Sequence, residues 1–527
     1  MTDTLPQGRR LLDAGFAAEA LPFLERAERT AEAAHWLAEA QRLQQQDQGA
    51  QDTLDAALAA APGHPALVVA RSEMALAKGD TAQALALLGA GPADDADIMV
   101  QRARAQMAAR DFRGALRTLR RAVVVAPDHS AAWSALIVAA AHDPHMDTAR
   151  LKALQRRWRG PSPLAGSWTV LPKTRLRVGY VSRAFSHNNV AKVIAPAILH
   201  HDPERIETYL YSTSRVRDAG SVRFREAAAQ WRPIAGLSDA EAVMQIRRDR
   251  IDILVDIDGH YFANRLGIFA LRGAPVQVSA WGYVPGPGVP GIDWLLTDHV
   301  IAPADEATLF RERLMPLTQA QPYDGLFRPR PDAAARPHGA IRFGCFHRSE
   351  KLNDAVLELW ARILAACPGA TLTLKSKYFG TEAMRGPVRA AFGAIDPARL
   401  LFEGDEPHAA YLKAFDRIDV ALDPFPVNGG LVTLDGLSQG VPAITLAGVA
   451  PPGRIGASIL RAVGLERFVC ASEADYLARA IELARNAEGL DALRDEVRER
   501  AAKTFRDSRA YAADVEDAYR EIWSQAL

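Results

Sequence analysis

Between Asp423 and Gly448 the chain reads DPFPVNGGLVTLDGLSQGVPAITLAG. These residue types at this spacing suit the binding of a phosphorylated ligand. A strand is expected to close at Leu422-Asp423. Asn428-Gly429-Gly430 then forms a turn in which two residues without side chains let the backbone come close to a ligand. LVTLDGLSQG opens a helix whose first N–H groups lack intrahelical acceptors, which makes a ready anion site. Asp435 falls in the first turns of that helix, placed to accept hydrogen bonds from ribose hydroxyls. A lone Asn-Gly-Gly usually marks a plain turn. The strand before it, the helix after it and the Gly-Val-Pro strand beyond favour the phosphate reading.

Such a turn needs a sheet behind it. From Lys173 the chain carries strand-length apolar runs: RLRVGYVS, IETYLYST, IDILVDIDGH, APVQVSAWGY and DWLLTDHVI, with a helix start at Ile194–His200. A second set follows: IRFGCFH, TLTLKS, RLLFEGD, DVALDPFP and PAITLAG, with DAVLELWARILAACPG as an amphipathic helix. Near-continuous apolar strands alternating with helices indicate parallel sheets covered on both faces. Two doubly wound α/β units in tandem leave a cleft at the carboxyl ends of their strands, where ligands bind. The units are placed at residues 171–330 and 338–527, joined through the Pro/Arg/Ala-rich stretch FRPRPDAAARPHG. The final helices, from about Asp491 to Leu527, are expected to pack across the second unit.

The first 150 residues differ in texture. They are rich in Ala, Leu, Arg, Gln and Glu, with apolar residues at helical spacing. GFAAEAL ends at Leu21, AQDTL at Leu54, GDTAQAL at Leu85 and DFRGAL at Leu116. Pro62 and Pro127 punctuate two of the segments, since proline cannot continue a helix. A period near 34 residues with helix–turn–helix content is similar to the tetratricopeptide repeat. About four degenerate repeats are expected over residues 1–150. Stacked helix pairs present a concave groove suited to an extended peptide. A plain helical bundle with coincidental spacing is the competing account.

Bulk composition excludes several functions. Lys+Arg and Asp+Glu both total 63 in the 527-residue chain, so no net charge draws it to nucleic acid or anionic membrane. The Arg-rich runs read as solvated helix faces. Cys345, Cys367 and Cys470 are too few and scattered for a disulfide framework or a zinc site. No metal ligand set and no HExxH helix is found. The start MTDTLPQGRRLLDAGF lacks a signal-peptide apolar region, and no run is long enough to span a membrane. A cytoplasmic protein is expected.

The segment DVALDPFPVNGG…TLDGLSQGVPAITL resembles the donor-binding signature of glycosyltransferase family 41, the O-GlcNAc transferase and SPINDLY group. RLRVGYVSRAF, DILVDIDGH…NRLGIFALRGAPVQVSAWGY, FHRSEKLNDAVLELWARIL and PHAAYLKAFDRIDVALDPFP are similar to four further ordered blocks of that family. The resemblance covers about Arg175 to the C-terminus, and the repeat arm before it is also the family's arrangement. It implies a GT-B fold of two facing Rossmann-like domains behind tetratricopeptide-like repeats. It implies an inverting transfer of sugar from a nucleotide-sugar to Ser or Thr of a protein, without a metal or other cofactor.

Carried over residue by residue, the resemblance makes Lys351 the donor-phosphate lysine, where an ammonium would offset charge on the leaving group. Arg348 stands where the family has a glutamine near the same phosphates. His408 matches a histidine beside the nucleoside, although histidines at helix starts are often only caps. Asn428, Gly429, Gly430 and Asp435 match the phosphate loop and ribose contact. The departures cluster around sugar and acceptor. The family's histidine three residues after the opening Phe is replaced by Asn188, with His187 one residue early. Its His-Thr-Thr becomes Gly430-Leu431-Val432, and its Leu-Gly-Tyr-Pro-Gly becomes Trp281-Gly282-Tyr283-Val284-Pro285-Gly286. Both a UDP-linked sugar and a bulkier CMP-linked nonulosonic acid, as in bacterial flagellin-modifying relatives, fit this pattern.

The general base stays open on the residues alone. Asp252, Asp258 and His260 lie along or beyond the IDILVDIDGH strand, and His187 is a further candidate. His260, just past the strand end, is the best placed of the four. Positioning and leaving-group stabilisation could supply much of the rate without a strong base. The resemblance points to a protein acceptor on the repeat arm, with flagellin the acceptor suggested by analogy. Two other accounts remain: a catalytically degenerate repeat adaptor, and a transferase with a non-protein acceptor.

Overall fold

The structure is a computed structural model and describes residues 4–325, 327 and 340–527. The expected linker lies, from residue 328 to 339, outside the described residues.

Ten helices come first: α1 (Leu5–Asp13), α2 (Ala17–Glu25), α3 (Ala31–Leu43), α4 (Asp47–Ala60), α5 (Pro65–Ala77), α6 (Thr81–Gly89), α7 (Ala96–Ala108), α8 (Phe112–Val125), α9 (Ser130–Ala140) and α10 (Thr148–Gln155). They stack as consecutive pairs. The recurring motif falls on the second helix of the first four pairs. Ala20, Ala84 and Ala115, each just before the motif leucine, are fully buried and let neighbouring helices approach. Asp80 and Asp111 cap α6 and α8 by accepting from the amides of Gln83 and Gly114. A fifth pair, α9 and α10, carries no copy of the motif and ends at Gln155.

Two parallel sheets follow. The first has seven strands: β1 (Leu176–Ser182), β2 (Ile206–Ser212), β3 (Gln230–Pro233), β4 (Ile253–Asp256), β5 (Val276–Ser279), β6 (Trp294–Thr297) and β7 (Arg313–Pro316). Their order is β3-β2-β1-β4-β5-β6-β7. The second has six: β8 (Arg342–Cys345), β9 (Thr371–Lys375), β10 (Leu400–Glu403), β11 (Val420–Leu422), β12 (Ala443–Leu446) and β13 (Val469–Cys470), in the order β10-β9-β8-β11-β12-β13. The expected strands are present, and three more, β3, β7 and β13, each close a sheet edge. Helix α11 (Ala191–Ile198) starts three residues before the expected Ile194.

The remaining helices are α12 (Ala219–Ala227), α13 (Asp239–Arg248), α14 (Leu266–Ala270), α15 (Asp354–Ala366), α16 (Glu382–Ala390), α17 (His408–Ala414), α18 (Leu431–Ser438), α19 (Ile455–Ala462), α20 (Glu473–Arg485), α21 (Leu490–Phe505) and α22 (Ser508–Ser524). Helix α21 packs on α18 of the second sheet. Helix α22 does not stay with it: it crosses back onto α11 of the first sheet. Buried Glu516 of α22 pairs there with His201 at 3.1 Å and Arg205 at 2.9 Å, and Trp281 Nε1 donates to Tyr511 Oη at 2.8 Å. The apolar face of α22 finds its partner on the first sheet's helices, so the last helix straps the units together.

Strand order reverses between β1 and β4 in the first sheet and between β8 and β11 in the second. Ligands of doubly wound sheets bind beyond the carboxyl ends at such switch points. Among the described residues no helix is long and apolar enough to cross a membrane.

Candidate active site

The four segments that leave those switch points are 183–188, 258–262, 346–351 and 423–430. Three of the sequence candidates meet at the second sheet. Lys351 Nζ donates to the carbonyl of Asn428 at 2.6 Å. Burial, followed by the nearby charge of Arg348, draws the Lys351 ammonium down to a pKa of about 8. Arg348 is exposed beside it and pairs with Glu350 at 3.1 Å.

The turn under Lys351 is rigid for identifiable reasons. Asn428 is fully buried, and its Nδ2 donates to the carbonyls of Pro424 at 3.0 Å and Leu446 at 3.3 Å. The Gly429 amide donates to Asp423 Oδ1 at 2.6 Å, so this amide faces inward and leaves the anion-binding role to the start of α18. A Cβ on Gly429 would lie 2.1 Å from His347 Cε1 and 2.5 Å from Thr433 Oγ1, which only glycine avoids. Thr445 Oγ1 donates to the other Asp423 oxygen at 2.6 Å. Burial raises the Asp423 pKa to about 6. Burial, aided by the charges of Lys351 and Arg348, holds His347 well below its usual range and therefore neutral.

At the other end of the turn, Asp435 is buried and already engaged. Its Oδ1 accepts from Lys192 Nζ at 3.0 Å and Tyr323 Oη at 2.5 Å, and its Oδ2 from Tyr411 Oη at 3.2 Å. Of the roughly four acceptor positions of the carboxylate, three are taken within the protein, which leaves one on Oδ2 for the ribose hydroxyl expected from the sequence. A carboxylate buried this deeply needs a cation, and Lys192 of α11 supplies it from the opposite sheet. His408 is exposed at the start of α17, stacked on Tyr411 with ring centroids 5.9 Å apart. His187, from the first sheet, meets His408 edge-on at 6.4 Å. The two histidines thus face each other across the mouth of the cleft.

A family model described as glycosyl transferase family 41 matches residues 165–321 and 330–515. The chain belongs to glycosyltransferase family 41. The chain is 32% identical over 371 residues to the probable UDP-N-acetylglucosamine–peptide N-acetylglucosaminyltransferase SPINDLY of Petunia hybrida, covering 67% of this chain and 39% of that protein. It is 33% identical over 362 residues to the protein of the same name from Oryza sativa subsp. japonica, covering 66% and 39%. It therefore spans about two fifths of the length of these curated relatives. Among solved structures it is similar to a lysine-to-methionine variant of the Thermobaculum terrenum O-GlcNAc transferase, with a TM-score of 0.83, 28% identity and coverage of 100% of this chain and 99% of that one. The fold is GT-B behind helical repeats.

In this family 41 chain the candidate bases separate. Asp252 sits at the wrong end of the sheet, where it accepts from Lys173 and from the Arg177 amide at the start of β1. His260, the favoured sequence candidate, is 1% exposed, and both ring nitrogens are taken. Nδ1 meets Ser134 Oγ of α9 at 3.0 Å, and Nε2 meets the Pro287 carbonyl at 2.7 Å. Burial lowers its pKa to about 3. It is a neutral core histidine that fastens the loop after β5 to the repeat arm, and the catalytic reading of His260 is corrected on that ground. Asp258 accepts from Ser182 Oγ at 2.8 Å and the Arg183 amide at 3.1 Å, tying the ends of β1 and β4 together. Asn188 is a local brace: its Oδ1 accepts from Ala191 at the start of α11, and its Nδ2 donates to the Ala184 carbonyl.

Several neighbours of the site carried no sequence signal. Asp256, beside Asp258, has its pKa raised to about 7 by burial and then by the Asp258 charge. His142, in the loop after α9, hydrogen-bonds the backbone of Glu350, and burial lowers its pKa to about 4. Lys192, Tyr323 and Tyr411 reach Asp435 from three remote segments. The run Gly436-Leu437-Ser438-Gln439-Gly440 has the spacing of a hydrolase nucleophile elbow, but Ser438 is fully buried late in α18 and donates to the Asp435 carbonyl at 2.7 Å, so it is no nucleophile.

Proposed function

We propose that this chain is a cytoplasmic protein O-glycosyltransferase. It moves a sugar, with inversion, from a UDP- or CMP-linked donor to a Ser or Thr hydroxyl of a protein held by the repeat arm. The observation that carries the reading is the Lys351 ammonium on the Asn428 carbonyl, at the switch point of the second sheet. The donor phosphates lie against Lys351, Arg348 and the N-terminus of α18. His408, Tyr411 and Lys192 flank the nucleoside. As the acceptor oxygen bonds to the anomeric carbon from the face opposite the phosphate and the bond to the phosphate oxygen breaks, Lys351 stabilises the charge that builds on the leaving group, and the departing phosphate takes up the hydroxyl's proton. None of the four candidate bases is needed for this: positioning of the hydroxyl and leaving-group stabilisation carry the rate. Three buried free thiols fit a reducing compartment.

The test is mass spectrometry of acceptor proteins, flagellin first, after incubation with UDP- and CMP-linked sugars. A sugar increment on Ser or Thr, absent with Lys351→Ala, is the expected outcome. Donor binding with no protein-linked sugar from any acceptor would overturn the reading in favour of a repeat adaptor, and turnover onto a small-molecule or lipid acceptor would replace the protein acceptor.

A further inference from the structure

Where the repeat arm meets the cleft, cations gather from all three parts of the molecule. Arg104 comes from α7, Arg183 from the end of β1, Arg348 from the turn after β8 and Lys377 from the segment after β9. Arg104 lies over the ring of Phe262, with its guanidinium carbon 3.5 Å from the centroid. Arg183 Nη1 donates to the Phe262 carbonyl at 3.4 Å. Arg183 and Tyr378 are electrostatic neighbours of Arg104, and Arg104 and Arg348 are electrostatic neighbours of Lys377. The four charges therefore form one cluster rather than separate surface residues.

Its neutralisation is incomplete. Arg104 pairs with Glu73 at 3.3 Å and Arg348 with Glu350 at 3.1 Å. Among the described residues, Arg183 and Lys377 are exposed and no carboxylate is in ion-pair contact with either. Glu350 and Asp405 influence Lys377 only from a distance. Asp258 acts on Arg183 in the same way, but it is buried and already accepts from Ser182 and the Arg183 amide. The floor is aromatic: Tyr261 and Phe262 are 38% and 44% exposed, an unusual fate for two adjacent rings. Exposed rings beside two exposed cations without an ion-pair partner form a surface for an anionic, chain-like ligand.

The cluster's position says which ligand. It begins on the arm, where Glu73, Glu39 and Arg42 continue the charged ladder away from the cleft, and it ends at Arg348 beside the donor turn. The cluster therefore bridges the arm and the Lys351 turn, where a segment held by the arm would present its hydroxyl to the donor. We propose that the acceptor is a protein segment with Asp or Glu residues flanking the modified hydroxyl, read by Arg104, Arg183 and Lys377 against the Phe262 ring. This rests on the transferase reading above and adds the acceptor class to it.

The test uses the full chain and three labelled synthetic dodecapeptides, each with a central serine flanked by Asp/Glu, by Asn/Gln or by Lys. Binding is followed by fluorescence anisotropy at low and physiological salt. The acidic peptide is expected to bind about tenfold or more tightly than the amide peptide, with the preference shrinking as salt rises. The Arg183→Gln/Lys377→Gln double variant should lose most of that preference. Both side chains are exposed, so folding is not at stake, and a thermal shift with UDP or CMP should match wild type. Equal binding of acidic and amide peptides overturns the proposal, as does a preference that survives in the double variant. A carboxylate-bearing UDP-glucuronate that shifts the midpoint more than UDP-GlcNAc, only in wild type and with no peptide preference, also overturns it by assigning the cations to the donor. If nucleotides bind normally while the peptide preference is missing, the acceptor inference fails and the transferase reading stands. If no nucleotide binds, the transferase reading fails by itself.

Discussion

Ser349, two residues before Lys351, is fully buried and donates through Oγ to the carbonyl of Ala108 at the end of α7, 2.9 Å away. The adjoining residues are held in the same way. Arg110 Nε donates to the Leu352 carbonyl at 2.6 Å, and Arg110 Nη2 to Asp354 at 3.2 Å, while His142 bonds the backbone of Glu350. The repeat arm thus braces the Lys351 turn. Removing the arm would disturb the Lys351 turn whichever acceptor the protein uses, so deletion cannot by itself separate a protein acceptor from a small one.

Ser349→Ala removes one hydrogen bond between buried groups. A stability loss of about 1 kcal/mol is expected, together with weaker nucleotide binding although residue 349 does not reach the ligand. Denaturant unfolding and calorimetric nucleotide titration on the same variant check both. Full-strength nucleotide binding would show that the arm does not position the turn.

Lys351 supplies a pH signature. Its pKa in the folded protein is about 8, below the ordinary 10.5, and phosphate binding requires the ammonium. kcat/KM is therefore expected to fall about tenfold per pH unit above about pH 8. Lys351→Arg, charged throughout, should retain part of the activity and lose that limb. The stability sign is opposite: between about 8 and 10.5 the unfolded chain binds more protons, so this group's contribution to stability rises with pH. A flat wild-type profile through this range would remove Lys351 from the chemistry.

The two glycines of the turn should respond differently. Gly429→Ala drives a methyl into His347 and Thr433, costing about 1–3 kcal/mol and abolishing donor binding. At Gly430 the nearest atom to an added Cβ is Ile455 Cγ2 at 3.6 Å, so the methyl of Gly430→Ala has room and the loss should be smaller than for Gly429→Ala. Melting temperatures of the two variants decide the matter.

His260→Ala should behave as a packing lesion. It leaves the Pro287 carbonyl without its donor and removes one of two partners of Ser134 Oγ, which keeps Trp158 Nε1, at about 1–3 kcal/mol, and lowers the melting temperature. Folding lowers the His260 pKa from 6.5 to about 3. The unfolded chain binds more protons between those values, so wild type loses stability as pH falls below 6.5, and His260→Ala should lose this contribution. Loss of a rate limb without loss of stability would return His260 to the catalytic role.

Lys192→Ala leaves the Asp435 carboxylate buried without its cation, and about 3–5 kcal/mol of destabilisation is expected. Adding Asp435→Asn should recover much of that loss. A double variant no more stable than Lys192→Ala would show that the pair is not coupled.

How far the sequence carries can be seen strand by strand. The central strands β1, β4, β5, β8 and β11 are covered on both faces, and their unbroken apolar runs are legible. Strands β3, β7 and β13 lie at sheet edges, are short or partly exposed, and leave no such run. The Asn428–Gly430 turn was legible because strand, turn and helix are contiguous. The partners of Asp435 were not, since residues 192, 323 and 411 meet it only after the sheets face each other. His260 misled for a related reason. Position past a strand end points toward the cleft, but Ser134 and Pro287, distant in sequence, enclose it in the core.

The most direct test of the donor assignment is a thermal-shift comparison of wild type and Lys351→Ala against UDP, GDP and CMP with their sugar-linked forms. Ligand at about 100 times Kd stabilises the native state by about 2.7 kcal/mol. The expected result is a clear rise of the wild-type midpoint with one nucleotide family, absent in a folded Lys351→Ala. No shift with any nucleotide, or an equal shift in both proteins, would contradict the assignment of the Lys351 turn as the donor site.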